Sequence, residues 1–200
     1  MNMDSAIRAI ITATRHQPVI FTSGELGRAA RDIADRPTHF YLAGSTGLAS
    51  STGIGVALQT HGTTVVVDGY GSVLTNLAGM VTAGMLTDLP LVHIVLDDTW
   101  YTPAGATAPT STAARAGRAD LCGMARAAGY TRVHTLDTLE EFVRTIRREI
   151  ATCTAPVFLR CVLHDGDAPA PKNTGVAYLD SAVPFPEQRS WPDWINDLAA

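Results

Sequence analysis

Two runs, Thr63-Thr-Val-Val-Val67 and Leu91-Val-His-Ile-Val-Leu96, restrict the fold more than any other feature. The first is dense in β-branched residues, and the second is apolar along almost its whole length. A strand with this pattern suits a sheet covered on both faces, the environment of parallel strands flanked by helices. Between the runs, Val73 to Met85 has helical spacing, with Leu74, Leu77, Val81 and Met85 on one side. Strand, helix and strand in that order make a crossover unit.

The alternation extends in both directions. Ile7, Ile10 and Ile11 share one helical face, and Pro18-Val-Ile-Phe21 reads as a short buried strand. Leu26, Ala29, Ala30 and Ile33 form the next helical stripe, which stops before Pro37. Phe40-Tyr-Leu42 is a strand, and Leu48 to Leu58 is a helix of small residues. Further on, Gly117 to Ala128 is helical, with Gly129 at the C-cap. Arg132-Val-His134 is a short strand. Thr138-Leu-Glu-Glu141 is a capping box, and behind it Leu139, Phe142, Val143, Ile146 and Ile150 form an amphipathic helix. Pro156 to Leu163 is the last strand. The expected fold is a doubly wound α/β domain, with a mainly parallel sheet of about six strands and helices on both faces. It should occupy residues 1–165, leaving 166–200 as a Pro-rich tail. Trp191 and Trp194 suggest that this tail docks on the domain or on a partner.

Composition narrows the function classes. The chain has 200 residues and a net charge of −4, with no basic run or stripe, so nucleic acid and anionic membranes are poor partners. Nothing approaches the roughly 18 apolar residues of a membrane span. The N-terminus lacks the charged and apolar regions of a secretory signal. Cys122, Cys153 and Cys161 are odd in number and lack metal-ligand spacing, which fits a reducing, cytoplasmic setting.

Residues 44–47 and about 97–116 carry no helix or strand pattern, and both follow strands. They belong to the carboxyl edge of the sheet, where open α/β folds bind ligands. Asp68-Gly-Tyr-Gly-Ser72 lies between a strand and a helix; its glycines allow backbone to approach a phosphate at the helix N-terminus, or simply make a turn. Asp97 and Asp98 could hold Mg²⁺ through carboxylate and backbone oxygens, or form a solvated turn or an N-cap. Ala43-Gly-Ser-Thr-Gly47 would admit a flat ring against backbone, or begin a helix. Trp100 and Tyr101 line either a substrate pocket or a subunit seam. The histidines are scattered, and His93, inside an apolar run, reads as core; Cys122 and Cys161 read likewise. G-x-S-x-G and the P-loop are absent.

Taken in order, Phe40 to Ser51, Val67 to Ser72, Val95 to Asp98 and Ala104 to Thr110 resemble the diphosphate-binding domain of thiamine-diphosphate enzymes. The similarity is to decarboxylases of the sulfopyruvate (β subunit) and phosphonopyruvate type, whose stretches read GSMGxASS, DGDG(S/A), (D/N)N and GGQPT. It spans about Gln17 to Asp165, and residues 72–96 give the gap that the diphosphate-metal motif of that family requires. The resemblance implies a thiamine-diphosphate-binding fold with Gly44, Ser45, Thr46, Gly69, Tyr70, Gly71, Ser72, Asp98, Trp100 and Tyr101 at the cofactor. It implies Mg²⁺ held by Asp98 and the backbone carbonyl of Trp100. In such enzymes a second, pyrimidine-binding domain supplies the activating glutamate. Only one domain is present here, so the resemblance implies a β-type subunit of a split decarboxylase or carboligase. Its partner would be an α-type pyrimidine-domain subunit in a hetero-oligomer, and its substrate a small 2-oxo acid.

The departures fall where the chemistry is densest. Tyr70 stands at the metal-binding aspartate of the family, and a phenol with a free pKa near 10 is a poor Mg²⁺ ligand. Asp98 replaces an asparagine and restores part of the charge. Thr46 replaces a larger apolar residue, and Gly105 to Thr110 lacks the glutamine. The alternative is a non-catalytic structural or regulatory subunit with a degenerate metal site. A dinucleotide-binding domain ranks last, because no G-x-G-x-x-G follows a strand with a suitably placed acid.

Overall fold

A computed structural model describes residues 1–44, 46–98 and 119–164, together with Trp194. The order is α1 (Met3–Ala13), β1 (Val19–Phe21), α2 (Glu25–Ile33), β2 (His39–Tyr41), α3 (Ala49–Thr60), β3 (Thr64–Gly69), α4 (Tyr70–Thr75), α5 (Leu77–Met85), β4 (Leu91–Asp97), α6 (Leu121–Ala128), β5 (Arg132–Leu136), α7 (Leu139–Ala151) and β6 (Val157–Val162). The six strands form one sheet in the order β2-β1-β3-β4-β6-β5. Every pairing is parallel, as the apolar runs require. The chain steps outward from β1 to β2 and then returns past β1 to β3, so the strand order reverses between β1 and β3. Ligands of doubly wound folds bind at such a reversal.

Side chains alternate between two cores, with the period of two that a strand imposes. Val65, Val67, Val92, Ile94, Val157 and Leu159 join α1, α2 and α7 on one face. Val66, Leu91, Val95 and Phe158 join the cluster built on α3 to α6 on the other. The two faces differ sharply in charge. Helices α1, α2 and α7 carry Asp, Glu and Arg, whereas α3, α4 and α5 contain no Asp, Glu, Lys or Arg at all. On that bare face Leu58, Val81 and Met85 are 51%, 48% and 74% exposed.

Several elements differ from expectation. The helix expected over Val73–Met85 is two helices, because Asn76 leaves helical geometry with φ −145° and ψ 83°. Its side-chain amide turns to donate to the Gly47 carbonyl at 3.0 Å. The first of these helices begins at Tyr70, directly after β3, which runs two residues past Val67. Asp68 is therefore a strand residue in register with Val95, not part of a loop. Helix α6 begins at Leu121, where the Asp120 carboxylate accepts the Gly123 N–H at 2.8 Å. Helices α5 and α6 cross closely at Gly84, where a Cβ would stand 2.1 Å from the Ala128 carbonyl oxygen. Trp194 is buried beside Phe40, and its indole N–H donates to the Pro37 carbonyl at 3.0 Å. Trp191 lies outside the described residues.

Candidate functional site

Four strand ends meet at the carboxyl edge around the topological reversal. Strand β1 runs into Thr22, Ser23 and Gly24; β2 leads to Gly44, Thr46 and Gly47; β3 ends at Gly69; and β4 is followed by Asp98. Gly24 and Gly44 have φ of 94° and 72°, values that side chains disfavour. A Cβ at Gly24, Gly44 or Gly69 would meet no atom within 4 Å among the described residues. Strands β2, β1 and β3 are neighbours. Their ends therefore present a row of open backbone on which a ligand could lie. Gly24 was not singled out in the sequence; its signal was a Ser-Gly pair between an apolar strand and a helix.

Beneath this row lies a buried polar cluster centred on Ser72. Its hydroxyl donates to Asp68 Oδ1 at 2.6 Å. It lies 2.8 Å from Thr22 Oγ1 and accepts the Gly47 N–H at 3.1 Å. The second oxygen of Asp68 faces His93 Nε2 at 3.2 Å. Asp68 and His93 are each 1% exposed. His93 also packs edge-on against Phe158, so it is a core residue as expected, but one with a polar task. Tyr130 packs on the same Phe158, and burial, with Asp68 nearby, pushes its phenol pKa upward.

The other expected residues separate into distinct environments. The Tyr70 side chain is 1% exposed in the α3–α6 core, and its hydroxyl accepts the Ala119 N–H at 3.3 Å. It points into the protein rather than toward the open edge. Gly71 lies in the first turn of α4. Thr46 Oγ1 is 3.4 Å from Ser23 Oγ, which links the loops after β1 and β2. The two acids divide: Asp97 is fully buried and accepts from Arg160 Nε at 2.6 Å, while Asp98 is exposed. Ser45, Trp100, Tyr101 and the segment Ala104–Thr110 lie outside the described residues.

These residues fit a diphosphate better than they fit a metal alone. The glycine row offers backbone with room above it, and the α4 turn offers N–H groups without intrahelical acceptors. No group of three or more His, Cys, Asp or Glu able to hold a metal occurs among the described residues. Among the described residues, a Mg²⁺ ion at this edge would find one exposed carboxylate, Asp98, with the remaining oxygens left to phosphate, backbone carbonyl and water, a pattern usual for that ion.

Residues 23–161 match the family described as thiamine pyrophosphate enzyme, C-terminal TPP binding domain. Over 159 residues the chain is 34% identical to phosphonopyruvate decarboxylase of Streptomyces viridochromogenes, covering 80% of this chain and 38% of that one. It is 34% identical over 166 residues to sulfopyruvate decarboxylase subunit beta of Methanothermobacter thermautotrophicus, covering 83% of this chain and 84% of the subunit. The chain thus spans little more than a third of the first relative and most of the second. The fold is similar to that of benzoylformate decarboxylase from Polynucleobacter necessarius, with a TM-score of 0.66 at 14% identity over 84% of this chain and 34% of that one.

Proposed function

This chain belongs to the C-terminal TPP-binding domain family of thiamine pyrophosphate enzymes, and from that premise we propose that it is the diphosphate-holding subunit of a decarboxylase acting on a small 2-oxo acid. The observation that carries the reading is the open row of Gly24, Gly44 and Gly69 across three adjacent strand ends, at the point where the strand order reverses. Thiamine diphosphate, when bound, supplies the electron sink that lets a 2-oxo acid release carbon dioxide. The task of the protein is binding and orientation. Backbone N–H groups of Gly69, Gly71 and Ser72 hold the diphosphate, Gly44, Ser45 and Thr46 flank the ring, and Asp98 with the Trp100 carbonyl holds Mg²⁺. Trp100 and Tyr101 belong to the cofactor site in this reading. Decarboxylation or transfer to a second carbonyl is the reaction class.

The activating glutamate comes from an α-type pyrimidine-domain subunit in a hetero-oligomer. Two observations support a separate partner. A relative that this chain matches over most of its length is named as a β subunit. The charge-free outer surface of α3 and α5, with Val81 and Met85 exposed, is also unlike a surface made for water. The seat of Trp194 against Phe40 supports a 166–200 tail docked on a 1–165 domain. Three free thiols support a cytoplasmic setting. No helix among the described residues is long and apolar enough to cross a membrane.

Gly69 provides the test. Its φ of −96° suits any residue and a Cβ there meets nothing, so Gly69→Leu fills the cradle without disturbing the fold. Calorimetric titration with thiamine diphosphate and Mg²⁺, on the chain co-expressed with its partner, should show binding in the wild type and none in Gly69→Leu at an unchanged melting temperature. Equal binding by both would remove the site. The second reading, a non-catalytic subunit, is favoured by the burial of Tyr70 where the family places a metal-binding aspartate. Absence of binding by the wild-type assembly would establish it.

A further inference from the structure

We propose that Ser72 is a positioning residue, fixed from below by His93 through Asp68, which locks Gly47 in place for a diphosphate ligand without touching that ligand through its own side chain. The ligand half of this inference rests on the function proposed above; the loop half does not.

Hydrogen-bond valence carries the argument. A serine hydroxyl has one proton to donate and two lone pairs. The Gly47 N–H can only donate, so Ser72 Oγ accepts from it. The Asp68 carboxylate can only accept, so the Ser72 proton goes to Oδ1. The remaining lone pair takes the Thr22 hydroxyl proton at 2.8 Å. All three positions of the Ser72 hydroxyl are thus occupied by the protein. A phosphate would meet the Ser72 backbone N–H, not its side chain.

The chain of bonds continues downward. Asp68 Oδ2 lies 3.2 Å from His93 Nε2; facing a carboxylate, that nitrogen is the donor in the Nε2–H tautomer, so the carboxylate is held at both oxygens. Above, Gly47 is gripped at both of its polar atoms, its N–H by Ser72 and its carbonyl by the Asn76 side chain at 3.0 Å. Its φ of 86° keeps this loop in a shape that other residues resist, and a Cβ there would stand 2.9 Å from Asn76 Cβ. One hydroxyl thus joins the ends of β1 and β3 to the loop after β2, and through Asp68 it reaches β4.

The test reads amide hydrogen exchange at Gly47 and thiamine diphosphate affinity, both with the full chain and its partner. Ser72→Ala should speed Gly47 exchange by about tenfold and weaken affinity by about tenfold, the scale of one lost buried hydrogen bond. Ser72→Thr, which keeps the hydroxyl, should restore both. Ile146→Val, a core change on the opposite face of the sheet, should lower the melting temperature without changing either readout. Should Ser72→Ala fail to fold, Ser72→Cys keeps the size with a weaker acceptor and takes its place. An unchanged Gly47 exchange rate in the variant overturns the positioning role, whether or not cofactor binds. Faster exchange with unchanged affinity overturns the link to the ligand. A wild-type assembly that binds no thiamine diphosphate refutes the proposed function and the affinity claim with it, while exchange at Gly47 still decides the positioning role.

Discussion

Arg160 Nε lies 2.6 Å from Asp97 Oδ2, bridging the end of β4 to the adjacent strand β6. The ion pair gives the first acid of the Asp97-Asp98 pair a structural task and leaves the second exposed at the edge. Substitutions should therefore separate. Arg160→Met, which strips a partner from a buried carboxylate, should cost about 1–3 kcal/mol in urea denaturation. Asp98→Ala should leave stability within about 0.5 kcal/mol and abolish the Mg²⁺ dependence of cofactor affinity. A large stability loss at Asp98 would reverse the assignment.

The burial of Tyr70 makes a carboxylate at that position costly. Tyr70→Asp should lose about 3–5 kcal/mol in metal-free buffer, the cost of a buried charge without a partner. Tyr70→Phe, which gives up the bond from the Ala119 N–H, should lose only about 0.5–1.5 kcal/mol. Thermal melts of both variants, with and without Mg²⁺, make the comparison. A Tyr70→Asp protein as stable as the wild type would mean that the side chain reaches solvent.

Two helical glycines should respond in opposite directions. Gly84→Ala forces a Cβ to 2.1 Å from the Ala128 carbonyl oxygen, backbone that cannot swing aside, and should destabilise by about 1–3 kcal/mol. Gly55→Ala, on the outer side of α3 with nothing within 4 Å, should stabilise by about 0.4–1 kcal/mol. Chemical denaturation of the two variants side by side reads the difference.

Acid should weaken the fold through His39. Burial, reinforced by nearby Arg36, lowers its pKa from the ordinary 6.5 to about 4. The folded state thus takes up the proton less readily than the unfolded chain. The stability from the neutral ring is complete above about pH 6.5, falls as pH drops toward 4, and changes little below that. His39→Phe keeps a ring against Phe21 and should flatten the profile over this range, measured as denaturation midpoint against pH. An unaltered slope would place the titration elsewhere.

The sheet was legible because buried parallel strands need continuous apolar runs, and Val65–Val67 and Leu91–Leu96 have few other uses. The break at Asn76 was not, because Leu74, Leu77 and Val81 keep helical spacing across it; only the distant Gly47 carbonyl explains why Asn76 turns aside. The Gly-x-Gly turn was readable as local chemistry. The pairing of Asp68 with His93 was not, since it joins adjacent strands across 25 positions of sequence. Spacing alone could not show that Tyr70 points inward while Gly69 stays open, because the two differ only in which way a strand-to-helix junction turns.

The bare outer surface of α3, α4 and α5 bears on how such a chain can be made. Among the described helices the charges lie on the other side of the sheet, apart from Arg126 on α6, so helical charge contributes repulsion between copies mainly on that side. Two copies meeting through Val81 and Met85 bring together no charged residue of α3, α4 or α5, so self-association rises with concentration. Production in step with whatever covers that side would keep the free form scarce, which makes the ratio of synthesis rates, as much as intrinsic stability, the quantity that sets the yield of folded protein.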